Sequence, residues 1–358
     1  MYGKGLAKNF RESTKWNYTD LKQYPMVGYS SDFSPGLITE LIRRQYSYDI
    51  ILSSGLATFA THISFPIAKL LKKKFIIWSE DWMWSKSVIA RMVLPYVRTM
   101  VQRADACIAA GKNAKELFLR MGAKPERVFV APNCALDVAK MHMDNKKLED
   151  FQNTVNPTKK IVISYLGRVV SYKALDTLID AFSELEKKAR NVLLLIVGDG
   201  PFAPACARLI QKKNITNFYW PQYNHLTAAQ EYESIPHDEL MYYAWLSDIL
   251  VLPGRFKMQD HVTCESWGLI LNEAISLGKP IISTNSVAAA YDLIENDKNG
   301  YRIPEDSSEA LADGLEKLVK NPAGRKAMGI RSREIFETRF QYPNMMQGFQ
   351  NAINAVSI

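Results

Sequence analysis

The chain has 358 residues against roughly 100–200 for one domain, so two domains are expected. Apolar residues make up 47% and charged residues 23%, which excludes a disordered, collagen-like or disulfide-scaffold protein. The net charge of +8 is uneven: residues 1–150 carry 23 Lys and Arg against 14 Asp and Glu (+9), and residues 151–358 carry 22 against 23 (−1). A basic first half attracts a membrane face, nucleic acid or an anionic substrate. Nucleic acid is the weakest of these, because no helix-turn-helix, finger or RNP-type motif is present. Cys107, Cys134, Cys206 and Cys264 form no C-x-x-C pair and read as buried thiols of a reducing compartment, with no zinc site. No apolar run nears the roughly 20 residues of a membrane-spanning helix. Met1–Lys22 is too polar for a secretory signal, so a cytoplasmic location is expected.

In chain order, the predicted strands of the first half are Asp49–Leu52, Phe75–Trp78, Ala106–Ala109 and Val128–Ala131. Those of the second half are Ile161–Leu166, Val192–Val197, Ile249–Leu252 and Pro280–Ser283. Amphipathic stretches at Leu56–Leu71, Ser87–Arg103, Leu175–Lys188 and Phe202–Lys212 read as helices between them. This alternation predicts an α/β fold of βαβ units, with parallel sheets covered on both faces. The polar stretch Leu148–Lys160 has no apolar periodicity and reads as a linker. Residues 1–150 and 151–340 then form two domains, with a helix over 341–358 returning toward the first. Ligands of open parallel sheets bind outside the carboxyl ends of the strands.

Three segments carry chemistry. After the strand ending at Leu166 come Gly167, Arg168 and Lys173, two cations in one loop beside a helix start. Such a loop suits a phosphate or diphosphate, and the alternative is an exposed basic loop. A second strand runs into Gly198-Asp199-Gly200-Pro201, where glycine permits close backbone approach. The third is Cys264–Ser283: Glu265 precedes a helix that starts near Gly268, and Glu273 lies just over one turn inside it. Free amides at Gly268, Leu269 and Ile270 would face an anion, and a carboxylate there suits a sugar or ribose diol. On composition alone, the same two acids also fit a surface flanking a core helix.

The run GRVVSYKA (167–174), VGDGP (197–201), DILVLP (248–253) and ESWGLILNEAISLGKPIIST (265–284) resembles the retaining glycosyltransferases of family four. The resemblance is continuous from about Ile161 to Phe340 and looser before it. It implies the GT-B fold, two Rossmann-like domains facing across a cleft. It further implies that Arg168 and Lys173, with Gly167 and Gly198, hold the diphosphate of a nucleoside-diphosphate sugar. Glu265 would take the transferred sugar, Glu273 the ribose, and the amides of Gly268, Leu269 and Ile270 the phosphate. No metal or other cofactor is implied, since cations and a helix end neutralise the leaving group.

The chain departs from the family pattern at several places. Ala174 replaces the glycine that often follows the lysine, and Val287–Ala290 replaces a glycine pair. Extra sequence lies between Trp220 and Pro253 and between Arg255 and Cys264, and no initial strand with a glycine-rich loop is read before Tyr48. Where the family often presents a histidine, this chain has Glu80 and Asp81, acceptor-side candidates beside Trp82 and Trp84. His62, His142, His225, His237 and His261 show no metal spacing and receive no role. The expected activity is retaining, metal-independent sugar transfer to a hydroxyl of a glycan or lipid-linked glycan. A nucleotide-sugar epimerase and a non-catalytic nucleotide-sugar-binding protein are the alternatives. The basic first half suggests peripheral contact with an anionic membrane face through Arg43, Arg44 and Lys72–Lys74.

Overall fold

The computed structural model describes residues 21–22, 34–223, 235–258 and 262–357. The first half forms helix α1 (Gly36–Arg43), strand β1 (Ile50–Ser54), α2 (Phe59–Leu70), β2 (Lys74–Ser79), α3 (Val88–Arg103), β3 (Ala106–Ala109), α4 (Lys112–Arg120) and β4 (Val128–Val130). Its four strands are parallel, in the order β1-β2-β3-β4. Thr58 and Ser87 start α2 and α3 by accepting from backbone amides three residues on. Phe75, Ile77, Val97, Met100 and Phe118 fill the core on one side of this sheet.

The stretch expected to be a linker is instead largely helical. Helix α5 (Asn145–Val155) is started by Asp144, whose carboxylate accepts the Lys147 amide at 3.0 Å. Phe151 then packs on Tyr242 and Tyr243 at ring distances of 5.2 and 5.0 Å. Only Val155 of the helix is fully buried, so no apolar stripe announces it in the sequence.

The second sheet follows with β5 (Ile161–Leu166), α6 (Leu175–Lys188), β6 (Val192–Val197), α7 (Ala203–Lys212), β7 (Phe218–Tyr219), α8 (His237–Leu246) and β8 (Ile249–Leu252). A small antiparallel pair, β9 (Lys257–Met258) and β10 (Val262–Thr263), precedes α9 (Leu269–Ser276), β11 (Ile281–Thr284), α10 (Ala290–Leu293) and β12 (Gly300–Ile303). The six long-sheet strands run parallel in the order β12-β11-β8-β5-β6-β7. Every residue of β6 and β8 is buried, because both sheet faces are covered. Chain order reverses between β5 and β8, which leaves a crevice at their carboxyl ends. Helices α11 (Ser308–Lys320), α12 (Pro322–Arg339) and α13 (Tyr342–Val356) complete the chain. Helix α13 lies against β3 and β4 of the first sheet, and Gly348 approaches Val130 so closely that a Cβ would stand 2.3 Å from its carbonyl oxygen.

Polar contacts tie the two halves together. The Asn272 side chain receives the Trp267 indole N–H at 2.8 Å and donates to the Asn133 carbonyl at 3.0 Å. Arg333 grips Asp137 through Nη2 at 2.8 Å. Gly111 gives α4 no capping side chain, so Asp292 of the other half accepts the Lys112 amide at 3.1 Å. Burial pushes the Asp292 carboxyl up from its ordinary 3.8 to about 6, against that hydrogen bond and the charges of Lys112 and Arg339. Folding therefore takes up a proton between these values. The contribution of this one carboxyl to stability is fully present below about pH 4 and falls by roughly 3 kcal/mol as pH rises past about 6. Asp292→Asn keeps an acceptor without the charge. Its melting temperature should exceed the parent's at neutral pH and match it near pH 4, and a gap constant with pH would reject this assignment.

Candidate active site

The crevice is built by close backbone packing. Gly167, at φ +139°, ends β5, and a Cβ on Gly198 would lie 2.0 Å from its carbonyl oxygen. Only glycine lets these two strand ends meet so closely. Arg168 lies exposed on the rim and donates through Nη2 to the Tyr172 hydroxyl at 3.0 Å. A single 3-10 turn, Ser171–Lys173, folds Lys173 back over Gly167. The Lys173 ammonium comes to 3.1 Å from Glu265 Oε2, with 12% and 16% of the two side chains exposed.

Arg255, just past β8, holds this turn from behind. Its N–H donates to the Tyr172 carbonyl at 2.8 Å, and its guanidinium binds Asp176 at 2.6 Å and Asp306 at 2.7 Å. Gly268, at φ +93°, starts α9 between Leu252 and the Glu265 side chain. The structure thus gathers Gly167, Lys173, Glu265 and Gly268 at the β5–β8 switch point. The opening amides of α9, at Gly268, Leu269 and Ile270, belong to the same rim and have no partner within the helix ladder.

Glu273 sits one turn into α9 and is buried, its Oε1 2.7 Å from His237 Nε2 at the start of α8. His237, given no role from the sequence, is thus the neighbour of a predicted site acid. The Glu273 hydrogen bond raises the imidazole's pKa against the effect of burial. His225 and His261 lie outside the described residues. His62 is a core residue, its Nε2 2.8 Å from the Leu56 carbonyl.

Across the crevice, the loop after β2 separates its two acids. Asp81 is committed to the loop itself, accepting from the Leu56 amide at 3.0 Å and the Ser79 hydroxyl at 2.8 Å. Glu80 accepts from the Asn133 amide at 3.0 Å. Burial lifts the Glu80 pKa, and the Asp81 and Glu265 carboxylates add to it, so Glu80 senses the opposite domain's acid. Trp82 and Trp84 do not form a matched pair. Trp84 donates to the Ala90 carbonyl at 2.9 Å, whereas Trp82 packs on Phe256 and Tyr291 of the second half.

Ala174, where the family often has glycine, adopts φ +54°. A left-handed residue bearing a Cβ costs about 1 kcal/mol. Ala174→Gly should raise the melting temperature of this domain by a few degrees. A lower melting temperature in a thermal scan would mean that the methyl group's packing outweighs the strain.

The family model described as glycosyl transferases group 1 matches residues 146–335, which is 190 of the 358 residues. An alpha-D-kanosaminyltransferase of Streptomyces kanamyceticus is 24% identical over 232 residues, 64% of this chain and 55% of that protein. A GDP-mannose-dependent alpha-(1-6)-phosphatidylinositol monomannoside mannosyltransferase of Mycobacterium tuberculosis is 22% identical over 263 residues, 73% of this chain and 64% of that one. The chain therefore spans between half and two thirds of these relatives' lengths. Anabaena HepE in complex with UDP superposes with a TM-score of 0.75 at 16% identity, covering 89% of this chain and 82% of that chain. That likeness establishes the two-domain GT-B fold. With more than half its length matched by the family model, the chain belongs to the glycosyl transferases group 1 family.

Proposed function

We propose that the protein transfers a sugar, with retention, from a nucleoside-diphosphate sugar to a hydroxyl acceptor. The observation that carries this reading is the convergence of Lys173, Glu265 and Gly268 at the β5–β8 switch point, with Glu80 opposite. The names of the relatives, all sugar transferases, support it, as does HepE's complex with UDP-glucose. In the proposed reaction the bond from the anomeric carbon to the diphosphate breaks, and the diphosphate keeps the electron pair. Arg168, Lys173 and the α9 amides stabilise the charge that develops there. The acceptor hydroxyl attacks from the same face and gives its proton to a leaving-group oxygen. Glu265 and Glu80 hold hydroxyls of the transferred sugar, and Glu273 holds the ribose diol. In this scheme side chains and backbone carry the leaving-group charge without a metal.

The test is incubation with UDP- and GDP-sugars, scored for released nucleoside diphosphate and glycosylated product. Lys173→Ala should lower turnover by two to three orders of magnitude, the roughly 3–4 kcal/mol scale of a lost oxyanion donor. Wild-type turnover should survive EDTA. Near-native activity in Lys173→Ala, or a strict requirement for added Mn²⁺ or Mg²⁺, would reject the cationic cradle.

A membrane-borne acceptor is supported by a different surface from the one the sequence suggested. Arg43 and Arg44 pair with Glu40 at 2.8 and 2.7 Å, and Lys73 and Lys74 pair with Asp49 and Asp105 at 3.5 and 3.9 Å. Helix α3 instead presents Val88, Ile89 and Met92, 63%, 48% and 75% exposed, beside exposed Arg91 and Arg98. An apolar strip flanked by cations fits an anionic bilayer surface. Met92→Asp should reduce co-sedimentation with anionic liposomes and leave neutral ones unaffected. Equal recovery of both proteins on anionic vesicles would remove α3 from the contact.

A further inference from the structure

The two acids of the crevice differ in what holds them. Glu265 pairs with an ammonium, Lys173, and Glu273 with an imidazole, His237. Imidazole is the one ordinary side chain that changes charge between about pH 5 and 8. We propose that His237 is the positioning residue of Glu273: it aims the carboxylate at the ribose of a bound nucleotide, and its protonation weakens that grip. The inference rests on the function proposed above, in which Glu273 takes the ribose diol.

Three observations carry it. The first is geometry. The Glu273 carbonyl accepts the Ser276 hydroxyl at 2.7 Å, and that oxygen accepts the Val138 amide at 3.2 Å. On the other side, Asn272 donates to the Asn133 carbonyl at 3.0 Å. Helix α9 is thus held before and after Glu273, and the torsions of its side chain remain to be set. Among the described residues, the carboxylate's one hydrogen-bond partner is His237 Nε2, 2.7 Å from Oε1. Oε2 keeps its lone pairs for a ligand.

The second is exposure. Of the His237 side chain 51% is exposed, against 11% for Glu273. Protons from water therefore reach the pair at the ring, and the buried carboxylate feels them through the hydrogen bond.

The third is charge. The Glu273 hydrogen bond raises the imidazole's pKa above its ordinary 6.5, burial opposes the rise, and the Glu273 and Asp238 charges add to it. Those two acids, one from α9 and one from its own helix, are the charged groups acting on the ring among the described residues. The opening amides of α8, of which His237 is the first residue, favour the neutral ring. A neutral ring donates one hydrogen bond and leaves Glu273 its full negative charge, so a diol binds through charge-assisted bonds. An imidazolium cancels that charge, and the same hydroxyls then bind nearly as weakly as to a neutral acceptor. Ribose recognition therefore strengthens as pH rises through the raised imidazole value.

Calorimetry on the full chain, from about pH 6 to about pH 9, tests this with UDP against 2′-deoxy-UDP and GDP against 2′-deoxy-GDP. The deoxy-to-ribo ratio of Kd isolates the 2′-hydroxyl, because the phosphates of each pair ionise alike. In the wild-type protein the ratio should rise about fivefold from the acid to the alkaline end. His237→Gln, whose amide can donate but takes no proton, should hold the alkaline ratio at every pH. His237→Ala should lower the ratio throughout and leave deoxynucleotide affinity unchanged. The ring is half exposed, so both variants should fold. A ratio flat with pH in the wild-type protein, or a wild-type slope in His237→Gln, overturns the role of His237. Glu273→Ala separates this from the underlying reading. If it abolishes ribose discrimination while the wild-type profile is flat, His237 alone is rejected. If it leaves discrimination unchanged, the ribose role of Glu273 falls and the inference falls with it.

Discussion

The half-buried contact between Lys173 and Glu265 is the constraint from which the crevice follows. Neither charge is stable away from water alone, and each is the other's counter-ion here. Their approach requires that Gly167 and Gly198 pack without side chains, that Gly268 turn beneath Leu252, and that Arg255 brace the turn carrying the lysine. The pair also gives the site a resting state. In the proposed reaction, a diphosphate arriving at the α9 amides would offer Lys173 a stronger partner and release Glu265 toward sugar hydroxyls. Nearly all of this frame is backbone geometry, which explains why it needs so few side chains.

The long strands were legible because burial on both faces leaves unbroken apolar runs. Ile161–Leu166, Val192–Val197 and Ile249–Leu252 fall where the sequence places them, and Pro280–Ser283 is displaced by one residue. The strands that escaped are those without such runs. Phe218–Tyr219 is two partly buried residues, and Gly300–Ile303 is buried only at its ends. Helix α5 was hidden for a related reason: its start depends on the Asp144 cap and its packing on Phe151, with no stripe to report either.

At the site, residues within one loop were legible and pairs distant in sequence were not. Gly167, Arg168 and Lys173 share seven residues of chain, and Glu265 and Glu273 flank one helix start. His237 meets Glu273 across 36 residues, and Arg255 reaches Asp176 across 79. Spacing cannot reveal such contacts, because topology rather than periodicity creates them. The two acids after β2 were likewise equivalent as sequence. What divides them is that the Leu56 amide and Ser79 hydroxyl claim Asp81, leaving Glu80 to Asn133 and the crevice.

Asn133 joins these observations into one mechanical unit. Its side chain holds Glu80, and its carbonyl receives Asn272 from α9, the helix that also carries Glu273. An acid of the first domain is thereby registered against a helix of the second through a single residue. Asn272 is oriented in turn by Trp267, whose ring leaves no space for a Cβ at Gly111, 2.5 Å away. Gly111 precedes the helix whose first amide Asp292 caps from the opposite domain. The Arg333–Asp137 ion pair and the packing of Trp82 on Phe256 and Tyr291 add to these hydrogen bonds, so polar and aromatic contacts together join the halves. In the proposed reaction, closure that excludes water from the transferring sugar would need an interface specific enough to set Glu80 against Glu265 and still able to open for the product.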